Sequence, residues 1–326
     1  MRRALFLAPL LVAIVHCGTS SGSGFDGQSS NGGASSGGGS SGLTTSGGPA
    51  PTNETECTKM DLVFVVDDSG SMGEEQANLA ANFPAFIKIL DDTKSKNGVP
   101  LNYRIAVTTT GRDLSYTVQP PPPFGPLPMN EKGDNGAFRN KKECGATKRW
   151  LDRGDANVSS VFSCLAKVGT GGPSVEMPLE ALDLAFGART ADATNAGFRR
   201  DDALLGVVIL SDEDDCSRKD NNFTIGTESC SDMKGVAPLE GYVSMLDTVA
   251  KGKGRWAASV IAGPGPGTCK SSFGEADDAK RLRSFVALSG ANGVFSSICD
   301  GDLTSGLKRA LETFDSACKR LPPAVK

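Results

Sequence analysis

The stretch Leu62-Val63-Phe64-Val65-Val66-Asp67-Asp68-Ser69-Gly70-Ser71-Met72-Gly73 constrains this chain more than any other. Five consecutive apolar residues, three of them valine, have the length and β-branched content of a short buried strand. The run then breaks into Asp, Ser and Gly, so its polar residues fall in the loop at the strand's carboxyl end. In an open α/β sheet that edge is where ligands bind. Asp67, Ser69 and Ser71 occupy alternate positions, and residues two apart in an extended segment point the same way. Three oxygen side chains can therefore converge on one point. One carboxylate and two hydroxyls suit a hard divalent cation (Mg²⁺, Mn²⁺ or Ca²⁺), and no soft ligand is present to favour zinc or copper. The alternative is an ordinary turn, which the same residue types also make.

This Asp-x-Ser-x-Ser pattern behind an apolar strand resembles the metal-ion-dependent adhesion site of von Willebrand factor type A domains. Leu204-Leu205-Gly206-Val207-Val208-Ile209-Leu210-Ser211-Asp212 repeats the grammar, an apolar run stopping at an aspartate. The resemblance implies that this is the third metal loop, with Asp212 completing the site beside Asp67 on a neighbouring parallel strand. The family's second metal loop is a glycine-rich turn carrying a threonine just before a helix. Here Val168 to Ser174 is such a turn, followed by an amphipathic segment with Leu179, Leu182, Ala185 and Phe186 on one face. Thr170 and Ser174 both could supply the hydroxyl; a helix entry with no ligand is the alternative. The resemblance runs from about Thr58 to Ser316 and implies an α/β fold, a doubly wound, mostly parallel sheet flanked by helices. It further implies an ion with an open coordination position, filled by an Asp or Glu carboxylate of a protein partner. Metal and partner would then bind cooperatively.

Other elements follow from periodicity. Glu74 to Leu90 has helical spacing, and Pro84 within it predicts a kink or break. Tyr103 to Thr110 reads as the second strand. Residues 111–168 lose the regular pattern, and the prolines between Pro120 and Pro128 exclude a central strand or a helix. We read an irregular insertion on the binding face, serving either partner specificity or packing. Leu239–Ala250, Asp277–Leu288 and Leu303–Phe314 read as helices, and Trp256–Ala262 and Gly293–Ile298 as strands. Glu213, Asp214 and Asp215 extend the acidic run behind Asp212. Asp214 and Asp215 read as a solvated turn, and a second Ca²⁺ there would lack EF-hand spacing.

Met1-Arg2-Arg3 followed by apolar residues to Val15 has the form of a secretory signal, too short for a permanent membrane span. Ile14-Val15-His16-Cys17-Gly18 resembles a bacterial lipoprotein box, with His16 as its departure, which implies a signal peptide over 1–17, lipidation at Cys17 and an envelope, outer-membrane location. Plain secretion with cleavage nearby is the alternative. Residues 18–56, rich in Gly, Ser, Thr and Asn, predict a tether, followed by one domain over 57–320 and a tail over 321–326. Nine cysteines less Cys17 leave an even set, which in an exported chain suggests disulfides. Proximity in the fold that the resemblance implies suggests Cys57–Cys318, Cys144–Cys164, Cys216–Cys230 and Cys269–Cys299.

The composition also excludes chemistry. A formal charge of −4 and no basic stripe argue against nucleic acid as partner. The only histidine, His16, lies in the segment removed on export, so Ser-His-Asp and Cys-His mechanisms and His-bound zinc are excluded from the mature chain. No phosphate-binding GxxxxGK[ST] loop occurs. In an aspartyl phosphatase reading of Asp67, Ser69 would stand where a second acid is needed. The expectation is a binding module, adhesion-type, rather than an enzyme. A structural envelope protein with a fold-stabilising metal is the alternative, and a metal-dependent hydrolase a more remote one.

Overall fold

Strand β1 (Lys59–Val66) lies inside a six-stranded sheet because its residues are apolar on both faces. In the computed structural model it pairs in parallel with β2 (Asn102–Thr109) on one side and β6 (Leu204–Leu210) on the other. Beyond β6 come β8 (Trp256–Ala262) and β11 (Gly293–Ser297), again parallel. The short β5 (Leu151–Asp152) closes the opposite edge, antiparallel to β2. The structure describes residues 57–226, 230, 232–272, 274–301 and 303–324, within a compact unit running from Glu54 to Lys326. The signal, Cys17 and the Gly/Ser tether all lie outside the described residues.

Alternate residues of β1 feed two separate cores, as a period of two requires. Leu62, Phe64 and Val66 face α1 (Gly73–Asp92), α2 (Val158–Ala166) and α7 (Leu303–Lys319). Val63 and Val65 face α3 (Pro178–Phe186), α5 (Leu239–Val249) and α6 (Lys280–Leu288). A short α4 (Ala188–Ala191) follows α3. The result is the expected doubly wound, mostly parallel sheet covered by helices on both sides. Among the described residues no helix is long and apolar enough to cross a membrane.

Two expectations need correction. Helix α1 continues through Pro84 without a break. Pro84 is exposed, so water can satisfy the carbonyl it leaves without a partner. On the other face Phe83 and Phe86 pack edge-on to Phe64, with ring centroids 5.7 and 5.3 Å apart, and this anchors both halves of the helix. The insertion is also far more regular than its sequence suggests. Strand β3 (Leu114–Val118) pairs with β4 (Leu127–Glu131) and with β7 (Thr224–Ile225), forming a side sheet over Leu114, Tyr116, Val175, Met177 and Phe223. Its last part supplies β5 and α2, whose Phe162 joins the aromatic core under α1. The segment escapes periodicity because each piece is short and draws its partners from distant sequence. A hairpin of β9 (Cys269–Ser271) and β10 (Gly274–Ala276) completes the inventory.

All four expected disulfides form: Cys57–Cys318, Cys144–Cys164, Cys216–Cys230 and Cys269–Cys299. The first joins the entry of β1 to the end of α7 across 261 residues.

Candidate metal centre

Strands β1 and β6 end side by side, and the Asp67 amide donates to the Leu210 carbonyl at 2.9 Å. This register sets the Asp67 loop against the Ser211-Asp212 loop. Asp67 is fully buried. One of its oxygens accepts from the Ser69 amide at 2.8 Å, the other from the Ser211 hydroxyl at 2.6 Å. The Ser69 and Ser71 hydroxyls lie 3.1 Å apart. The loop carrying Asp67, Ser69 and Ser71 is therefore set beside the loop carrying Asp212 at one edge of the sheet, tied to it by the Ser211 hydroxyl.

The glycine-rich loop closes over this edge through Gln76, in the first turn of α1. Its amide nitrogen donates to the Asp67 carbonyl at 2.8 Å and to the Gly169 carbonyl at 2.7 Å, while its oxygen accepts from the Gly169 amide at 3.0 Å. Further along, the Gly172 amide donates to the Asp68 carbonyl at 2.7 Å. A Cβ at Gly172 would stand 2.2 Å from the Asp68 carboxyl carbon, so only glycine permits this approach. The two hydroxyls of the loop have different fates. Thr170 is exposed beside Gly73, at the amino end of α1. Ser174 is turned to the side sheet, where its hydroxyl donates to Glu131 at 2.6 Å.

The electrostatics are those of a site short of positive charge. Burial, with neighbouring acids adding to it, pushes Asp67 up to about 6 and both Asp68 and Asp212 to about 7. Burial also raises Glu75, and Glu176 is raised well above the ordinary range by burial and by Asp67 and Glu213. Buried oxygens of Asp68, Asp212, Glu75 and Glu176 have no hydrogen-bond partner. A buried carboxylate left this way is costly unless a cation or a proton neutralises it. The donor set, carboxylates and hydroxyls only, fits a hard divalent ion. Among the described residues no three Cys, His, Asp or Glu side chains are crowded into a cage by themselves, so hydroxyls and water would complete the coordination.

No family model matches the chain, and no curated protein matches it. Solved structures do. The chain is similar to proximal thread matrix protein 1 of the mussel byssus with a zinc-occupied MIDAS motif, at 16% identity and a TM-score of 0.38, over 80% of this chain and 46% of that one. It is similar to the human COPII-coat protein Sec24c at 9% identity and a TM-score of 0.40, over 81% of this chain and 33% of that one. A third is the pilus adhesin RrgA of Streptococcus pneumoniae, at 15% identity and a TM-score of 0.28, over 49% and 21%. The chain spans less than half the length of each of these proteins.

Several residues at this edge escape a sequence reading. Ser211 was visible only as the end of an apolar run, yet it orients Asp67. Gln76 sits among ordinary helical residues and carries no motif. The solvated-turn expectation for Asp214 and Asp215 is overturned, since both are buried. Asp214 accepts from the Arg281 amide at 2.9 Å and the Leu282 amide at 3.1 Å, capping α6. Asp215 accepts from the Leu179 amide at 3.2 Å at the start of α3 and pairs with Arg281 at 3.1 Å. The acidic run thus divides its work. Asp212 faces the site, and the last two residues fasten helices around it.

Proposed function

We propose that this protein is a divalent-cation-dependent protein-binding module of the adhesion type. The observation that carries this reading is the meeting of Asp67 and Asp212 at the carboxyl ends of adjacent parallel strands, with the Ser69 and Ser71 hydroxyls between them and an Asp212 oxygen without a partner. Asp67, Ser69, Ser71 and Asp212 would hold Mg²⁺, Mn²⁺ or Ca²⁺, with Thr170 the loop hydroxyl still available. The bound ion would supply Lewis acidity toward an anion. Ser211 and the Ser69 amide hold Asp67 in orientation, and Gln76 holds the glycine loop over the edge. A partner's Asp or Glu carboxylate would fill the remaining position.

A histidine-free mature chain favours binding over catalysis. We further propose export, lipidation at Cys17 and residence in a bacterial envelope, probed by labelling with a fatty acid and by a Cys17→Ala variant. Four disulfides favour an oxidising compartment. A site that only stabilises the fold is the second reading, favoured by how deeply its acids are buried.

Calorimetric titration of the intact protein with Mg²⁺, Mn²⁺ and Ca²⁺, beside an Asp67→Ala, Asp212→Ala variant, tests the site. Binding that the variant loses supports it, and absence of binding by the folded wild type, with or without millimolar acetate, sinks it. Strengthening of the cation's affinity by acetate or glutamate supports carboxylate capture. Indifference to both favours the fold-stabilising reading.

A further inference from the structure

We propose that the partner presents an acidic segment rather than a lone acid, one of its carboxylates taking the cation and the next ones meeting Lys141, Lys142 and Lys167 beside the glycine-rich loop. This rests on the cation site proposed above and says what kind of partner it serves. Between Arg139 and Arg149 the chain carries five basic residues and one acid, Glu143, although its net charge is −4. Part of that positive charge is used inside the fold. Arg139 pairs with Asp134 at 2.7 Å, and Lys148 pairs with Asp152 at 2.6 Å and Asp155 at 3.0 Å. Arg149 donates to the Phe138 carbonyl at 2.6 Å. Lys141, half-buried, and Lys142, exposed, are left with no ion pair among the described residues.

Two contacts bring this segment to the cation edge. The Arg139 guanidinium donates to the Val168 carbonyl at 3.3 Å, and the Cys144–Cys164 disulfide ties the turn Lys142–Cys144 to α2. Lys167 ends α2 between those two points, and it too is exposed and without an ion pair among the described residues. It stands two residues before Gly169, whose amide and carbonyl are bonded to Gln76, and Gln76 reaches the Asp67 carbonyl at 2.8 Å. Two residues of chain span at most about 7 Å, so Lys167, with Lys141 and Lys142 behind it, is a basic rim close against the acids of the edge. In an extended segment, side chains on one side follow each other at roughly 6–7 Å. A carboxylate on the ion thus carries the next acids of its segment toward the lysines. Three lysines in a net-negative chain attract a membrane or a nucleic acid weakly, and the adjoining cation site calls for carboxylate. An acidic peptide answers to both.

The probe is N-acetyl tetraglutamate amide, titrated beside acetate into the intact protein saturated with whichever of Mg²⁺, Mn²⁺ and Ca²⁺ it prefers. Wild type should bind the tetraglutamate about tenfold more tightly than a Lys141→Gln, Lys142→Gln, Lys167→Gln variant does. Acetate, too small to span the ion and the rim, should bind the two nearly alike. The difference should shrink as NaCl rises from about 0.05 to about 0.5 M, because the lysines act at the surface. Lys251→Gln, Lys253→Gln removes two lysines that precede β8, at the opposite edge of the sheet, and should keep wild-type affinity for the tetraglutamate. The triple variant should bind the ion itself no more weakly than wild type. Equal tetraglutamate affinity in wild type and triple variant overturns the proposal and leaves the cation site standing. Phosphatidylglycerol vesicles that bind through these lysines where tetraglutamate does not would overturn it in favour of a membrane surface. A wild type that binds none of the three ions overturns both readings. If the triple variant does not fold, Lys142→Gln, Lys167→Gln serves, both side chains being exposed; unchanged tetraglutamate affinity there also overturns the proposal.

Discussion

Asp61, in β1, and Asp67, the first residue beyond its end, are both completely buried, yet they have opposite surroundings. Asp61, near the amino end of β1, accepts from Arg200 through its side chain at 2.7 Å and its amide at 2.6 Å, and from Arg199 at 3.2 Å. Burial raises its carboxyl, and the two guanidinium groups pull against that. Asp67, at the carboxyl end, has only a hydroxyl and an amide as donors, with Asp68, Asp212, Glu176 and Glu213 as neighbouring acids. One end of the strand neutralises its acid from within the chain. The other assembles acids around Asp67 with no basic side chain bonded to it. A cation or bound protons would neutralise these acids, and the contrast between the two ends is what the proposed cation site would explain.

The comparison can be broken in graded ways. Asp61→Ala should destabilise the fold by up to about 3–5 kcal/mol in urea titrations, because it leaves two half-buried guanidinium groups without their carboxylate. The variant should keep the wild-type response to cations. Asp67→Asn, Asp212→Asn should do the reverse. It should unfold no earlier than wild type in chelator, and should lose the stabilisation of about 2.7 kcal/mol expected when a cation is present at a hundred times its Kd. If the double variant gains as much from Mg²⁺, Mn²⁺ or Ca²⁺ as wild type, the contrast between the two ends has no functional content.

pH sharpens the same point. Asp67, Asp68 and Asp212 stand at about 6, 7 and 7 in the folded state against 3.8 when unperturbed. Between those limits the folded protein holds more protons than the unfolded chain, so stability falls as pH rises. In chelator, thermal melts should therefore show their contribution complete near pH 4 and progressively lost up to pH ~7. Saturating cation should flatten that decline, and the ion should bind more weakly at pH ~5.5 than at pH ~8, since protons compete for the same oxygens. A cation affinity independent of pH over this range would contradict the site.

Smaller effects test how the loops are held. Gly172→Ala would bring a methyl within 2.2 Å of the Asp68 carboxyl carbon and should cost about 1–3 kcal/mol by denaturant unfolding, with weaker cation binding. Ser174→Ala removes an exposed contact to Glu131 and should change stability by no more than about 0.5 kcal/mol.

Much of this architecture was legible before the fold. The apolar runs of β1 and β6, each stopping at an aspartate, announce buried strands whose loops share one edge. The helices α5 and α7 and the strand β8 follow from local periodicity within a few residues. Such signals survive because they depend on residues a few positions apart. The cysteine pairing could be expected only once the fold was assumed, since each bond joins segments at least 14 residues apart.

What the amino-acid sequence determined alone, then, was the repeating order of strand and helix and the acids at the strand ends, both matters of local pattern and composition. Tertiary structure decided which acid does what. Asp214 and Asp215 became helix caps because the amino ends of α6 and α3 arrive beside them. Ser174 turned to Glu131 because the side sheet brought that carboxylate within reach. Glu176 is held by backbone bonds to Cys216 and Thr110, both remote in sequence. Each of these roles depends on a partner from remote sequence, and a side chain's chemistry is set by what surrounds it.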